Sequence, residues 1–142
     1  MNGLYEVKSV EDTWRLAAQF AGCLKAGDVV CLGGDLGAGK TTFTQGLAAA
    51  LKVRGRVVSP TFCIVQEHPG ENVLLVHMDL YRLSGPDDVE ALGWEDYLAA
   101  GAIVVVEWPE RAGELIPRNA YHLDFRRGDG EEHRRIAISK SV

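Results

Sequence analysis

Cysteine is scarce in this chain. The three residues, Cys23, Cys31 and Cys63, are nowhere spaced as CxxC, so neither a disulfide framework nor a zinc site is indicated, and the usage fits a reducing compartment. Proline is also sparse, at five residues, and a composition that is 46% hydrophobic and 25% charged is that of an ordinary globular chain, not a disordered or collagen-like one. No apolar run approaches the ~20 residues of a membrane-spanning helix. The opening MNGLYEVKSVEDTW lacks the basic-then-apolar order of a secretory signal. A cytoplasmic protein with no membrane association is expected. Positive charge is not in surplus either: a net charge of −5 argues against autonomous binding of nucleic acid, which needs Lys and Arg to neutralise phosphates. What basic excess exists is local, since residues 111–142 hold 7 Lys+Arg against 5 Asp+Glu while residues 1–110 hold 8 against 15. Arg126, Arg127, Arg134 and Arg135 could meet an acidic partner or form the solvated face of a hairpin. At 142 residues the chain is long enough for one compact domain, expected to span 1–142.

The patterning is that of an α/β protein. Ser9 followed by Glu11 and Asp12 is a helix start, and Val10, Trp14, Ala17, Ala21 and Leu24 recur at helical spacing towards an end near Gly27. Three unbroken apolar runs, Val29-Val30-Cys31-Leu32, Val73-Leu74-Leu75-Val76 ending at Asp79, and Ile103-Val104-Val105-Val106 ending at Glu107, read as strands buried on both faces. Cys31 reads as a small buried apolar residue within the first. Phe43, Leu47, Ala50 and Leu51 mark a second helix, Ser84 and Pro86 the start of a third, and residues 94–100 a short fourth. Near the end the period becomes two, with Tyr121, Leu123 and Phe125, a Gly128-Asp129-Gly130 turn, then Ile136 and Ile138. The expected architecture is a single P-loop NTPase-like α/β domain, a mostly parallel sheet flanked by helices with a C-terminal antiparallel hairpin.

Residues 34–41 match GxxxxGK(S/T) at every fixed position. Glycines let successive backbone N–H groups converge on phosphate oxygens, Lys40 sets a point charge on the β- and γ-phosphates, the Thr41 hydroxyl can ligate magnesium, and the following helix turns its N-terminus to the anion. Nucleoside triphosphate binding follows. The reaction is left to the carboxylates. Asp79 and Glu107 each end an apolar strand, where an acid can hold magnesium or order an attacking water, and in a doubly wound sheet such strand ends face one crevice. Ser59-Pro60-Thr61 lies where nucleotidases carry a switch segment whose Thr hydroxyl senses the γ-phosphate; a plain proline turn fits the same residues. Trp108-Pro109 reads either as a rigid corner after the strand or as a nucleotide contact. Leu83-Ser84-Gly85 starts like a transporter ATPase signature, but Pro86 breaks it. The NKxD and DxxG motifs of GTPases are absent, and His68 and His77 read as packing or surface residues.

Taken together, GDLGAGKTTFTQGL at 34–47, SPTF at 59–62, HMDLYRL at 77–83, LG at 92–93 and VEWPER at 106–111 resemble, in order and spacing, the bacterial TsaE family, also called YjeE. The resemblance implies a weak ATPase required for threonylcarbamoyl modification of adenosine 37 in tRNAs reading ANN codons, with ATP and Mg2+ as cofactors. It implies the proteins TsaD and TsaB as partners, with tRNA reached only through their complex. It also implies roles. Leu36, Gly37, Ala38, Gly39, Lys40 and Thr41, with Thr42 beside them, would hold the phosphates, and Thr41 and Glu107 the magnesium. Asp79 would be the acid most important for hydrolysis, Thr61 a switch residue, Trp108 a wall of the crevice, and Thr13 a residue on the base side. His68 departs from the pattern, standing where an aromatic is common. A small-molecule kinase using the same loop is the alternative, although no compact Arg-rich lid precedes the final hairpin.

Overall fold

The computed structural model describes residues 1–35, 39–55, 57–58, 60 and 64–140. The described elements run β1 (Gly3–Val7), α1 (Val10–Ala21), β2 (Val29–Gly34), α2 (Lys40–Ala50), β3 (Val65–Pro69), β4 (Leu74–Asp79), α3 (Pro86–Glu90), α4 (Trp94–Ala99), β5 (Ile103–Glu107), a 3-10 segment (Pro109–Leu115), β6 (Tyr121–Arg127) and β7 (Arg134–Lys140). The 3-10 segment is broken at Gly113, whose φ is 53°. Ser9 caps α1 as its spacing implies, its side chain accepting the Asp12 N–H, but the helix stops at Ala21, short of Gly27. Pro86 opens α3, where its missing N–H costs nothing.

Among the described residues seven strands form one sheet in the order β1-β7-β6-β2-β5-β4-β3. The expectation of a mostly parallel sheet is corrected here. Parallel pairing is confined to the central four, β6 with β2, β2 with β5 and β5 with β4; β3 joins β4, β7 joins β6 and β1 joins β7 antiparallel. The sheet is mixed. The reason is chain length between partners, since the turn at Gly70, whose N–H donates to the Val73 carbonyl at 2.9 Å, is far too short for the crossover that a parallel β3–β4 pair would need.

Both faces are covered, which is why β2, β4 and β5 are apolar without alternation. On one face α1 and α2 pack Phe20, Phe43 and Leu47 against Val30, Leu75, Val105 and Phe125. The rings of Phe20 and Phe43 lie 5.8 Å apart, and edge-to-face contacts link Phe20 to Tyr121 at 4.9 Å and Phe43 to Phe125 at 5.6 Å. On the other face Trp94, Leu80 and Val89 pack against Cys31, Met78, Val104 and Val106. Burial, with a smaller push from Glu110, raises the Cys31 thiol to about 12, so it stays protonated and inert as a packing residue. Gly46 lets α1 and α2 approach closely, since a Cβ there would meet Ala17 and Trp14 at 3.0 Å or less.

Candidate functional site

The parallel register decides which side chains meet at the carboxyl end of the sheet. Leu32 of β2 is opposite Glu107 of β5, and Glu107 is opposite Asp79 of β4. Alternation along each strand puts Glu107 on the face of Ile103 and Val105, and Asp79 on the face of Leu75, which is the face covered by α1 and α2. The chain leaving β2 feeds α2 on that same face. Three strand ends and one helix start therefore converge.

The helix start is built for exposure of its backbone. Gly39 is the N-cap of α2 with φ of 101°, and no side chain caps the helix, so its first N–H groups are left for another acceptor. Lys40 turns back across the loop, its Nζ donating to the Gly34 carbonyl at 3.4 Å. Thr41 and Thr42 follow in the first turn, each half-buried. Gly34 itself has φ of +106°, and a Cβ there would stand 2.1 Å from the Phe125 carbonyl oxygen. The hairpin thus forms one rim of the loop: Gly34 pairs with Phe125, the Asp35 N–H donates to the Phe125 carbonyl at 2.9 Å, and Arg126 reaches Asp35 at 3.6 Å and Asp124 at 2.8 Å. The side chain of Arg134 lies against Gly39.

Asp79 and Glu107 are both buried, each 8% exposed. Asp79 accepts the Tyr81 N–H on Oδ1 at 3.0 Å, which fixes its rotamer, and its own N–H donates to the Ile64 carbonyl at 2.8 Å. Glu107 Oε2 lies 2.8 Å from His77 Nε2. Trp108 follows Glu107 with φ of 59° and is half-exposed, its ring 4.9 Å from that of Tyr81 and 5.9 Å from the Arg111 guanidinium. Ile64 is also left-handed, at φ of 64°. For a β-branched residue that conformation is an outlier, and strained residues on both sides of the acids are of the kind that gathers at functional sites.

Of the residues singled out from the sequence, Gly39, Lys40, Thr41, Asp79, Glu107 and Trp108 are gathered at this end of the sheet, with Thr42 in the first turn of α2. Leu36, Gly37, Ala38 and Thr61 lie outside the described residues. Thr13 is apart from the cluster in its bonding. It sits buried in the first turn of α1 with its hydroxyl donating to the Ser9 carbonyl at 3.3 Å, which is the bond of a helix-start threonine. Of the tail arginines, Arg135 pairs with Glu6 at 3.2 Å, and Arg134 donates to the carbonyls of Glu131 and His133.

His77, read from the sequence as a packing or surface residue, is the one whose bond to the acids that reading missed. It is fully buried, and its bond to Glu107 depends on β4–β5 register, which no local pattern reveals. The HxD spacing to Asp79, which puts both side chains on one face, is the signal that could have found it. His68 is buried as well. Burial first, and repulsion from His77 second, hold its imidazole below the ordinary 6.5. A value lower in the folded than in the unfolded chain means that stability is complete above pH 6.5 and is lost as pH falls through the window beneath it, where only the unfolded chain takes up the proton. His68→Phe should therefore flatten the fall in melting temperature as pH drops below about 6.5; an unchanged slope would assign that loss to other groups.

The donors present suit a hard cation. Among the described residues no group of three His, Cys, Asp or Glu could enclose a metal, so zinc or calcium caging is not what this arrangement offers. One carboxylate and one threonine hydroxyl beside an uncapped helix start are donors of the kind that magnesium shared with phosphates takes.

Comparisons with known proteins show what the chain is similar to. The family model described as threonylcarbamoyl adenosine biosynthesis protein TsaE matches residues 7–136. The chain is 45% identical over 119 residues to the tRNA threonylcarbamoyladenosine biosynthesis protein TsaE of Streptomyces coelicolor, covering 82% of this chain and 80% of that one. It is 39% identical over 129 residues to the protein of the same name from Bacillus subtilis, covering 91% and 80%. The crystal structure of YdiB from Bacillus subtilis superposes with a TM-score of 0.81 at 32% identity, covering all of this chain and 86% of that one.

Proposed function

Because the chain belongs to the TsaE family and so has its role in tRNA threonylcarbamoyladenosine biosynthesis, we propose that it is the ATP-binding and ATP-hydrolysing subunit of that process, a cytoplasmic P-loop NTPase acting on a TsaB–TsaD complex. The observation that carries this reading is the convergence of Lys40, the uncapped start of α2, Glu107 and Asp79 at the ends of three adjacent parallel strands. Lys40 and the N–H groups of the α2 first turn bind the phosphates, with residues 36–38 completing the loop. Thr41 and Glu107 hold Mg2+, which supplies charge neutralisation at the β- and γ-phosphates. Asp79, fixed by the Tyr81 N–H, accepts or orients the proton of the attacking water. Thr61 is the switch residue that reports the γ-phosphate, and Trp108 walls the crevice beside it. Thr13 is assigned to the base side on family grounds alone.

In this reading tRNA is met only through the partners, in keeping with a net charge of −5. No helix among the described residues is long and apolar enough to cross a membrane. The test is twofold. Purified protein with Mg2+ and ATP should release phosphate to water slowly, and faster when TsaB and TsaD are added; a strain carrying only Lys40→Ala should lose the tRNA modification. Normal modification in that strain would overturn the proposal, and phosphate transferred stoichiometrically to a metabolite would replace it with a kinase.

A further inference from the structure

We propose that His77 is a positioning residue for Glu107: its Nε2–H holds carboxylate oxygen Oε2, so that Oε1 is the oxygen turned to a cation at the phosphate loop. The inference rests on the magnesium role given to Glu107 above and adds to it the device that aims the carboxylate.

Its first support is cost. His77 is 0% exposed in the middle of Leu74-Leu75-Val76-His77-Met78, where its register partner on β5 is Val105 and an aliphatic side chain would pack without penalty. A buried polar ring is tolerated when hydrogen-bonded and otherwise costs free energy. Here only half the ring is satisfied: Nε2 meets Glu107 Oε2 at 2.8 Å, while Nδ1 has no partner among the described residues.

The orphan also sets the tautomer. A proton on Nδ1 would be a buried donor with nothing to receive it, whereas a bare Nδ1 leaves only an unfilled lone pair. The proton therefore sits on Nε2 and is donated to Glu107. One carboxylate oxygen is then occupied, and rotation about the last bond of the Glu107 side chain is blocked. Carboxylates that ligate metals are commonly held by such outer-shell hydrogen bonds, and losing such a partner weakens metal affinity by about 10–100-fold. Lys40 is instead turned to the Gly34 carbonyl.

The experiment measures binding of a fluorescent ATP analogue to the purified protein across a Mg2+ titration and again in EDTA, with thermal melting recorded for every variant. His77→Gln keeps an N–H donor near the position of Nε2, while His77→Asn is too short to reach Glu107. His77→Asn should raise the Mg2+ concentration for half-maximal effect by about tenfold or more, leave binding in EDTA within about twofold, and be largely rescued in His77→Gln. A Mg2+ response in His77→Asn equal to that of the unaltered protein would overturn the proposal, as would equal weakening with and without metal, the mark of a merely structural role. Glu107→Gln separates the two layers: if it leaves the Mg2+ response intact, the magnesium role of Glu107 fails, whereas a lost response there with none lost in His77→Asn rejects His77 alone.

Discussion

Gly34→Ala should leave little folded protein, whereas Gly33→Ala, one residue earlier, should melt within a few degrees of the parent. At Gly34 the added Cβ would lie 2.1 Å from the Phe125 carbonyl oxygen, 2.6 Å from its nitrogen and 2.9 Å from its carbonyl carbon, all backbone atoms, and φ is +106°. No rotamer change relieves a clash between two main chains. The backbone conformation alone costs about 1–3 kcal/mol for a residue with a side chain, and moving β6 away would break the β2–β6 ladder that includes the Gly34–Phe125 pair. The sum should exceed about 4 kcal/mol, a large part of the roughly 5–15 kcal/mol that a domain has in total. At Gly33 the nearest atom to a new Cβ is the Leu123 carbonyl oxygen at 4.0 Å, an ordinary contact, so the change should stay under about 1 kcal/mol. Urea unfolding of the two variants decides the matter: similar midpoints would mean that β6 yields easily and that the close approach is not rigid.

Asp79→Asn should slow ATP hydrolysis by about 10²–10⁴-fold, the range for loss of a proton-handling side chain, while changing nucleotide affinity by no more than about threefold. The substitution is chosen because it keeps the fold. Asparagine retains an Oδ1 that can accept the Tyr81 N–H, now at 3.0 Å, so the rotamer and the turn after β4 persist and only the charge is removed. Phosphate release under single turnover with saturating nucleotide, beside an equilibrium binding titration, separates the two quantities. A variant hydrolysing at the full rate would remove Asp79 from the chemistry; one that fails to bind would make it part of the binding site instead.

The central strands were legible in the sequence because burial on both faces leaves an unbroken apolar run, and β2, β4 and β5 lie within two residues of where those runs place them. The edges were not. Gly3–Val7 is largely exposed and Val65–Pro69 is mixed, with His68 its one buried residue, so nothing in their short, mixed composition distinguishes a strand from a loop, and missing them is why the sheet reads as more parallel than it is. The same contrast holds at the site. Acids at strand ends can be found by reading along the chain, since parallel strands bring their carboxyl ends together whatever their order. The HxD spacing can place His77 on the face of Asp79, but its bond to a residue thirty positions away appears only when the register is fixed. Gly34 was legible as a glycine of the loop for the sake of the phosphates; that it also makes room for a neighbouring strand belongs to the tertiary structure.

The placement of β2 also has a consequence in time. Both of its sheet neighbours, β5 and β6, come later in the chain, and β1, made first, waits for β7. During synthesis the loop-bearing strand leaves the ribosome well before either flank exists, and pairing of such distant segments is the slow part of folding. The loop rim contributed by Phe125 is therefore among the last features to assemble. A nascent or truncated chain lacking the hairpin carries the whole nucleotide motif in its sequence but has no β6 against which to shape it, and exposes an unpaired apolar strand that invites aggregation.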